Sequence, residues 1–238
     1  MSDVMYDALS IASFIISRAF SLSLRDSYSF LKLLESTVPL LPAFLTELAS
    51  SAPVPGGGGA SALVGGVSCA LCSMVANLTT GKKKYAQYQD RIDELLPYLE
   101  ELRGELLADI KLDADAFYPL SQAYSIPKDD PKRDEIMEEA LLTASNAPMK
   151  IVEDVSKLVP VLEELEVIGS RLAISDVAVA ATACATALKG AVMNIYINTK
   201  SMKNREVAEA MNAKAKALVA DGTARCEAVY EKIASGMI

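Results

Sequence analysis

One acidic residue lies where an acid is unusual, and it is the first candidate for chemistry. Asp113 falls on the apolar stripe that Leu106, Ile110 and Phe117 form at helical spacing, whereas Asp115 falls on the opposite face. A carboxylate on an apolar face must be paired, hydrogen-bonded or protonated, and such acids are over-represented in active sites. Asp113 is therefore either a catalytic acid or base, or a structural partner of a lysine or a helix N-terminus.

A second polar set belongs to a long apolar helix predicted over residues 174–200. Ser175 is expected to cap its N-terminus with Asp176 in the first turn, which explains both residues without a function. Asn194 and Asn198 share an apolar face near the other end and need partners there. Because 18 residues of helix, about 27 Å, separate Asp176 from Asn194, only an antiparallel two-fold pairing of two chains could bring them to one small ligand.

Four consecutive glycines, Gly56, Gly57, Gly58 and Gly59, open a predicted helix made mostly of small residues. Amides without side chains at the positive end of a helix dipole could bind a carboxylate or another anion, although four glycines alone do not establish it. Further along, Gly65–Gly66 indicates close backbone approach, because each glycine inside a helix costs about 1 kcal/mol relative to alanine. That approach could lie in the core or at a dimer interface.

Lysines and cysteines add two weaker signals. Lys82, Lys83 and Lys84 are either solvated cations near a helix C-terminus or ligands for a multiply charged anionic substrate. Cys69 and Cys72 match CxxC, but without a second pair, a histidine or a preceding strand they predict neither a zinc site nor a redox site. We interpret both as small core residues.

Composition excludes several classes of protein. The 238 residues contain no histidine, which removes Ser-His and Cys-His catalytic pairs and HExxH zinc sites, so acid–base work falls to Asp, Glu, Lys, Tyr or Cys. A net charge of −8 argues against a nucleic-acid partner. Four cysteines are too few for a disulfide scaffold, and the acidic start does not resemble a secretory signal, so we expect a cytoplasmic protein. Charges interrupt the apolar stretches 8–16 and 173–197, so we expect no membrane span.

The elements that must position these residues are helical. From Pro39 onward the spacing is helical throughout, and we predict an all-α bundle of long antiparallel helices. Breakers place the helices at about 40–51, 57–79, 86–125, 131–145, 149–167, 174–200 and 204–235, with Pro97 expected to kink or split the third and Asn204 a possible cap. Residues 1–38 differ in composition and are treated as an extension of uncertain role, followed by one helical domain over 39–238.

Several strings together resemble the cyclodeaminase/cyclohydrolase family, the helical family of the formiminotransferase-cyclodeaminase C-terminal domain and of stand-alone methenyltetrahydrofolate cyclohydrolases. They are SSAPVPGGGGASAL, MVANLTTGKKKY, DADAFYPLSQAYSIPK, ISDVAVAA and NIYIN, in consistent order between about residues 40 and 235. The resemblance implies a homodimer that acts on the one-carbon unit held between N5 and N10 of tetrahydrofolate. The glycine-rich string and INTK look most like the stand-alone cyclohydrolases, so we expect hydrolysis of 5,10-methenyltetrahydrofolate to 10-formyltetrahydrofolate.

The resemblance also gives the polar residues expected roles. Asp176 or Asp113 would be the carboxylate that stabilises the cationic substrate carbon and moves protons, without metal or cofactor. Asn77, Asn194 and Asn198 would orient pterin and water. The glutamate tail would lie against Lys82 to Lys84 and the Gly56 to Gly59 amides, with Ser175 beside Asp176.

Two alternatives stay open at this point. Formimidoyltetrahydrofolate cyclodeaminase, which releases ammonia, belongs to the same family. A non-catalytic helical folate-binding or dimerisation module is the alternative from another class. Its best support is Ser170, which replaces the asparagine that usually precedes the SD motif and offers one hydroxyl in place of an amide.

Overall fold

The computed structural model describes residues 40–238, and this part of the chain is helical with no strand. The predicted all-α class is confirmed. The helices are α1 (Leu40–Leu48), α2 (Gly57–Thr79), α3 (Gln89–Ala123), α4 (Arg133–Ser156), α5 (Leu158–Ile168), α6 (Ile174–Thr199) and α7 (Arg205–Ser235), with 3-10 turns at Lys83–Tyr88 and Arg171–Ala173.

The chain divides into two units, with the boundary between Ala52 and Pro53. Helix α1 belongs to the first unit, and α2 to α7 form the second, Pro53–Ile238. The predicted extension, residues 1–38, lies outside the described residues, so the boundary near residue 39 stays a prediction.

Helices α2 and α6 run antiparallel through the centre of the second unit. The N-terminal end of α2 meets the C-terminal part of α6, where Gly57 lies beside Asn194, and further along the Ser68 hydroxyl donates to the Ala180 carbonyl at 2.8 Å. The flanking helices pair with this centre in the same antiparallel manner, α3 on α2 and both α4 and α7 on α6. Most of their buried faces form the main apolar core, in which the thiols of Cys69 and Cys72 are fully enclosed, and a smaller apolar cluster around Leu120 and Leu141 joins α3 to α4.

Gly65 explains part of the small-residue pattern in α2. A Cβ at Gly65 would lie 2.8 Å from Cγ2 of Val155 and 3.3 Å from Cδ2 of Leu106, so α4 and α3 both approach the bare backbone there. A Cβ at Gly66 would have ordinary van der Waals room. Close packing inside the core therefore requires glycine at the first position and not at the second.

The predicted helix break at Pro148 is wrong, because α4 continues through it to Ser156 and the break lies at Lys157. Proline has no N–H for the carbonyl four residues earlier, which belongs to Ala144. The side-chain amide of Asn198 donates to that carbonyl at 2.9 Å, so the lost hydrogen bond is replaced from α6. Likewise α3 continues through Pro97, so that proline does not split the helix.

Two helices have the length and apolarity of membrane spans, Gly57–Thr79 and the segment Arg171–Thr199. Only the second of them overlaps an apolar stretch considered above as a possible membrane span. Most of the apolar window of the first (61%) and nearly half of the second (44%) is buried against other helices of the same chain. Helices at the centre of a bundle have this composition, and the pattern is weak evidence for a membrane.

Candidate functional site

Asp113 faces the N-terminus of α2. One carboxylate oxygen, Oδ2, accepts a hydrogen bond from the Gly59 amide at 3.0 Å, and the side chain is half-buried. The apolar stripe of α3 positions it, because Leu106 is buried in the core and Ile110 packs against the core. Of the alternatives left open by the sequence, the helix N-terminus is the partner that the structure shows, with the carboxyl also bordering a cavity.

The environment of Asp113 favours its neutral form more than water does. Burial raises the pKa of this carboxyl, and the Gly59 N–H offsets part of the increase. The helix dipole of α2 also favours negative charge at this end. Asp113 is thus a weakly solvated carboxylate with one fixed hydrogen bond, which suits a proton acceptor or a partner for a cation.

The four glycines differ in how much they are needed. A Cβ at Gly58 would overlap the Asp113 carboxyl, and one at Gly57 would lie 3.2 Å from the side-chain oxygen of Asn194. A Cβ at Gly56 would meet nothing within 4 Å, and at Gly59 there is ordinary room. The close approach of Asp113 to the backbone therefore depends on Gly58 above all.

A cavity of about 120 Å³ opens beside Asp113. Its walls come from the loop before α2 and from α2, α3, α4 and α6, and they are Pro53, Val54, Gly56, Gly57, Asp113, Phe117, Ala144, Asn194, Ile197 and Asn198. The structure thus brings together Asp113, two of the four glycines and both asparagines of α6. Phe117 and Ala144 were not among the predicted site residues, because the sequence pattern does not distinguish an apolar residue that lines a cavity from one in the core.

The two asparagines already use part of their hydrogen-bonding capacity within the protein. Asn194 donates to the Gly190 carbonyl at 3.1 Å, and Asn198, which is buried, donates to the Ala144 carbonyl. Both residues line the cavity, and each side chain keeps its amide oxygen as an acceptor for further hydrogen bonds. For Asn198 the structure shows a function that sequence reasoning missed, the replacement of the hydrogen bond that Pro148 cannot make.

A different polar cluster lies at the opposite end of α2 and α6. The Lys82 ammonium is 3.2 Å from the buried Ser170 hydroxyl, and the Ser170 amide donates to the Thr79 hydroxyl at 2.8 Å. The phenol oxygen of Tyr85 accepts from the Arg171 amide at 2.9 Å. Lys83 and Lys84 are exposed, the latter with its ammonium 5.7 Å from the centre of the Tyr85 ring.

Asp176 and its neighbours belong to this second end. Asp176 lies in the first turn of α6 as predicted, but Ser175 is not the N-cap, because the helix begins one residue earlier and Ala173 holds the cap position without a side-chain hydrogen bond. Ser175 instead lines an apolar groove between α6 and α7. Asn77 is exposed and donates to the Ser73 carbonyl of its own helix.

The predicted cap at Asn204 is confirmed, because its side chain accepts a hydrogen bond from the Val207 amide at the N-terminus of α7.

The predicted residues therefore fall into two groups within one chain. Asp113, the glycines, Asn194 and Asn198 lie at one end of α6, and Asp176, Ser175 and the lysine turn at the other. About 27 Å of α6 separates the two groups, so one small ligand cannot contact both of them within a single chain.

The cysteines lie in the core as expected. All four are buried and unpaired, and the Cys69 thiol donates to the Leu99 carbonyl at 3.2 Å. Burial raises the pKa of Cys69 to about 11, so it is not a nucleophile at neutral pH. Within residues 40–238, no three His, Cys, Asp or Glu side chains come together as a metal site.

Comparisons with known proteins show which family this chain resembles. The family model described as formiminotransferase-cyclodeaminase matches residues 41–217. The methenyltetrahydrofolate cyclohydrolase of Methylorubrum extorquens is 37% identical over 199 residues, 82% of this chain and 96% of that protein. The formimidoyltransferase-cyclodeaminase of Rattus norvegicus is 34% identical over 166 residues, which are 68% of this chain and 31% of that longer protein.

A solved structure shows the same architecture. The formiminotetrahydrofolate cyclodeaminase of Thermotoga maritima superposes with a TM-score of 0.71 at 28% identity, covering 80% of this chain and 95% of that one. The family match alone spans well over half of the chain. This protein belongs to the formiminotransferase-cyclodeaminase family.

Proposed function

We propose that this protein hydrolyses 5,10-methenyltetrahydrofolate to 10-formyltetrahydrofolate. The observation that carries the proposal is Asp113, a poorly solvated carboxylate beside a cavity. The cyclohydrolase of Methylorubrum extorquens supports it, because this chain covers nearly all of that protein. The enzyme needs no cofactor in this scheme, and the four free thiols fit a cytoplasmic location.

The chemistry requires one carboxylate. The substrate's amidinium carbon is cationic, so Asp113 stabilises it and accepts a proton as water oxygen bonds to that carbon. The bond from the carbon to N5 then breaks, Asp113 returns its proton to N5, and the second water proton leaves to solvent. The amide oxygens of Asn194 and Asn198 orient water and pterin in this step.

The α2 N-terminus is a poor position for the substrate's glutamate tail. Asp113 already occupies the Gly59 amide, and a second carboxylate beside it would be repelled. The Gly56–Gly59 backbone therefore serves mainly to hold Asp113. We assign the tail to Lys82, Lys83 and Lys84, whose ammonium groups attract carboxylates.

The size of the cavity and the distance to the lysines both point to a second copy of the chain. A cavity of about 120 Å³ holds only the reacting end of the substrate, since drug-sized ligands occupy roughly 300–1,000 Å³. Helix α6 also presents Val179, Met193 and Ile197 to solvent on one face, each more than half exposed. Antiparallel pairing of this face across a two-fold axis would cover it and bring Asp176 and the lysine turn of one chain toward Asp113 of the other.

Subunit complementation tests the shared site. Asp113→Asn is expected to be folded and inactive. Asp176→Asn, which removes the second acidic group that this pairing brings toward the cationic substrate carbon, is expected to be folded and inactive as well. Mixing the two after reversible dissociation restores one intact site per heterodimer. Random pairing then predicts about a quarter of wild-type activity. No recovery, with heterodimers demonstrated, would show that Asp113 and Asp176 do not act in one site across the interface.

The second candidate is the cyclodeaminase reaction, which the Thermotoga maritima structure and the Rattus norvegicus relative favour by their names. Loss of methenyltetrahydrofolate absorbance and release of ammonia from formimidoyltetrahydrofolate, measured on the same purified protein, separate the two. We expect the protein to hydrolyse methenyltetrahydrofolate and to release no ammonia from formimidoyltetrahydrofolate, each supplied at saturating concentration. Ammonia release alone would assign the chain to the second reaction, and folate binding without either turnover would contradict both.

A further inference from the structure

Two buried acids face each other between α3 and α4, outside the candidate site. The side chains of Asp109 and Asp154 are 2% and 4% exposed, and an oxygen of each carboxyl group contacts the same ammonium, that of Lys150. Asp109 lies one turn before Asp113 on the same helix. Two ionised carboxylates at this separation and burial would repel strongly.

The charges around this acid pair do not balance unless one proton is added. From α4, Lys150 contacts Asp154 and lies 3.3 Å from Asp109, and Lys157 after its end lies 2.8 Å from Asp154 and 2.9 Å from Glu105 of α3. Three carboxyl groups thus face two ammonium groups. One bound proton makes the cluster neutral.

The other groups nearby do not supply a further cation. Helix α2, which also packs against α3, contains no Asp, Glu, Lys or Arg, and its Cys69 lies near Leu99, ten residues before Asp109. Glu153 of α4 pairs with Lys214 of α7 at 2.6 Å. On α3 itself, Asp113 is oriented toward Gly59 of α2.

One atom identifies where the proton is held. Within the part of the chain that the structure describes, Oδ2 of Asp109 is the buried side-chain polar atom that has no hydrogen-bond partner. An ionised oxygen in that position would be desolvated without compensation, whereas a protonated oxygen becomes a donor to the neighbouring carboxylate.

We propose that Asp109 and Asp154 share one proton, held on Asp109 and donated to Asp154, and that this acid pair is a pH-sensitive contact that fastens α3 to α4 beside Asp113. Loss of the proton to solvent converts the O–H···O contact into a repulsion between two carboxylates. The effect acts on the helix that carries Asp113, and the inference does not depend on which reaction the site performs.

The pKa directions agree with this assignment. Burial first, and then the adjacent Asp154 carboxyl, raise the pKa of Asp109 to about 6. Burial opposes ionisation of Asp154 as well, but hydrogen bonds from Lys150, Lys157 and Asp109 outweigh it and lower the pKa of Asp154. Because the folded-state pKa of Asp109 exceeds its unfolded value, its stabilising contribution is complete below about pH 4 and is lost as pH rises through 6.

Urea unfolding from pH 4 to 8 tests the proposal with wild type and Asp109→Asn, whose amide donates to Asp154 without titrating. Between pH 4 and pH 8, the folding equilibrium constant of wild type should fall about a hundredfold more than that of the variant. If the folding equilibrium constants of the two proteins change equally with pH, the proposal is wrong. Contributions from Asp113 cancel in the comparison because both proteins contain it.

Infrared spectroscopy gives a second measurement if Asp109→Asn does not fold. The measurement is made in an Asp113→Asn background, which removes the other carboxyl among residues 40–238 whose pKa burial raises. Ordinary glutamates are partly protonated at pH 5, so the pH 5 minus pH 8 difference spectrum is compared between this protein and one that also carries Asp154→Asn. The protonated-carboxyl band should be larger by about one carboxyl group when Asp154 is present, and equal bands in the two proteins would contradict proton sharing.

Discussion

At the residue scale, the proposed catalysis depends on how closely Asp113 approaches the α2 backbone. A Cβ at Gly58 would overlap its carboxyl, so Gly58→Ala must move the carboxylate. Displacement of a catalytic group by about 1 Å can cost on the order of a hundredfold in rate, and we expect a loss of that size in kcat with the fold retained. Gly66→Ala is the matched control, because it makes the same change in the same helix away from the cavity and its Cβ has ordinary van der Waals room. Equal kcat values for the two variants would contradict the placement of Asp113.

The pH dependence of the reaction also belongs to the residue scale. Asp113 acts as a base only when it is ionised, so kcat/KM should fall with a one-proton slope as the pH is lowered through its pKa. Because burial raises this pKa, the fall should occur at a higher pH than for an exposed aspartate. The same shift makes the ionised form costly in the folded state. Asp113→Asn should therefore have a higher Tm than wild type at pH 7 and a smaller advantage at pH 4. A Tm below wild type at pH 7 would contradict the assigned environment.

At the element scale, Asn198 and Pro148 form a testable pair between α6 and α4. Asn198→Ala should destabilise the protein by about 1–3 kcal/mol, because it leaves the buried Ala144 carbonyl without a donor. In a Pro148→Ala background, the restored N–H can donate to that carbonyl. The destabilisation caused by Asn198→Ala should then be smaller by roughly 1 kcal/mol. Chemical denaturation of the four proteins of this cycle measures the difference. Additive effects would show that Asn198 does not replace the proline's missing hydrogen bond.

This pair also shows what sequence reasoning could and could not predict. The bounds of α2 were predicted to the residue, because Pro55 and Gly81 flank a clean run of small apolar residues. The continuation of α4 through Pro148 was missed, since its replacement hydrogen bond comes from a residue 50 positions away. For the same reason the apolar stripe placed Asp113 on a buried face but did not show that its partner was Gly59.

At the scale of the whole molecule, the proposed site requires two chains. Met193 is 62% exposed on the apolar face of α6, so Met193→Glu should give a monomer with little turnover. Tyr118→Glu, at a residue of α3 that is 64% exposed, is the control and should keep the mass of a dimer. Analytical ultracentrifugation distinguishes the two. A dimeric Met193→Glu variant, or a wild type that sediments as a monomer, would contradict antiparallel pairing through α6.

The measurement that tests the central claim most directly compares two aspartates two residues apart. Asp113→Asn should lower the rate of methenyltetrahydrofolate hydrolysis by about 10²–10⁴-fold, the usual contribution of a proton-transfer group. Asp115→Asn makes the same chemical change at an exposed residue paired with Lys111 at 2.5 Å, and its rate should equal that of wild type. If Asp113→Asn hydrolyses the substrate as fast as Asp115→Asn does, Asp113 is not the catalytic carboxylate.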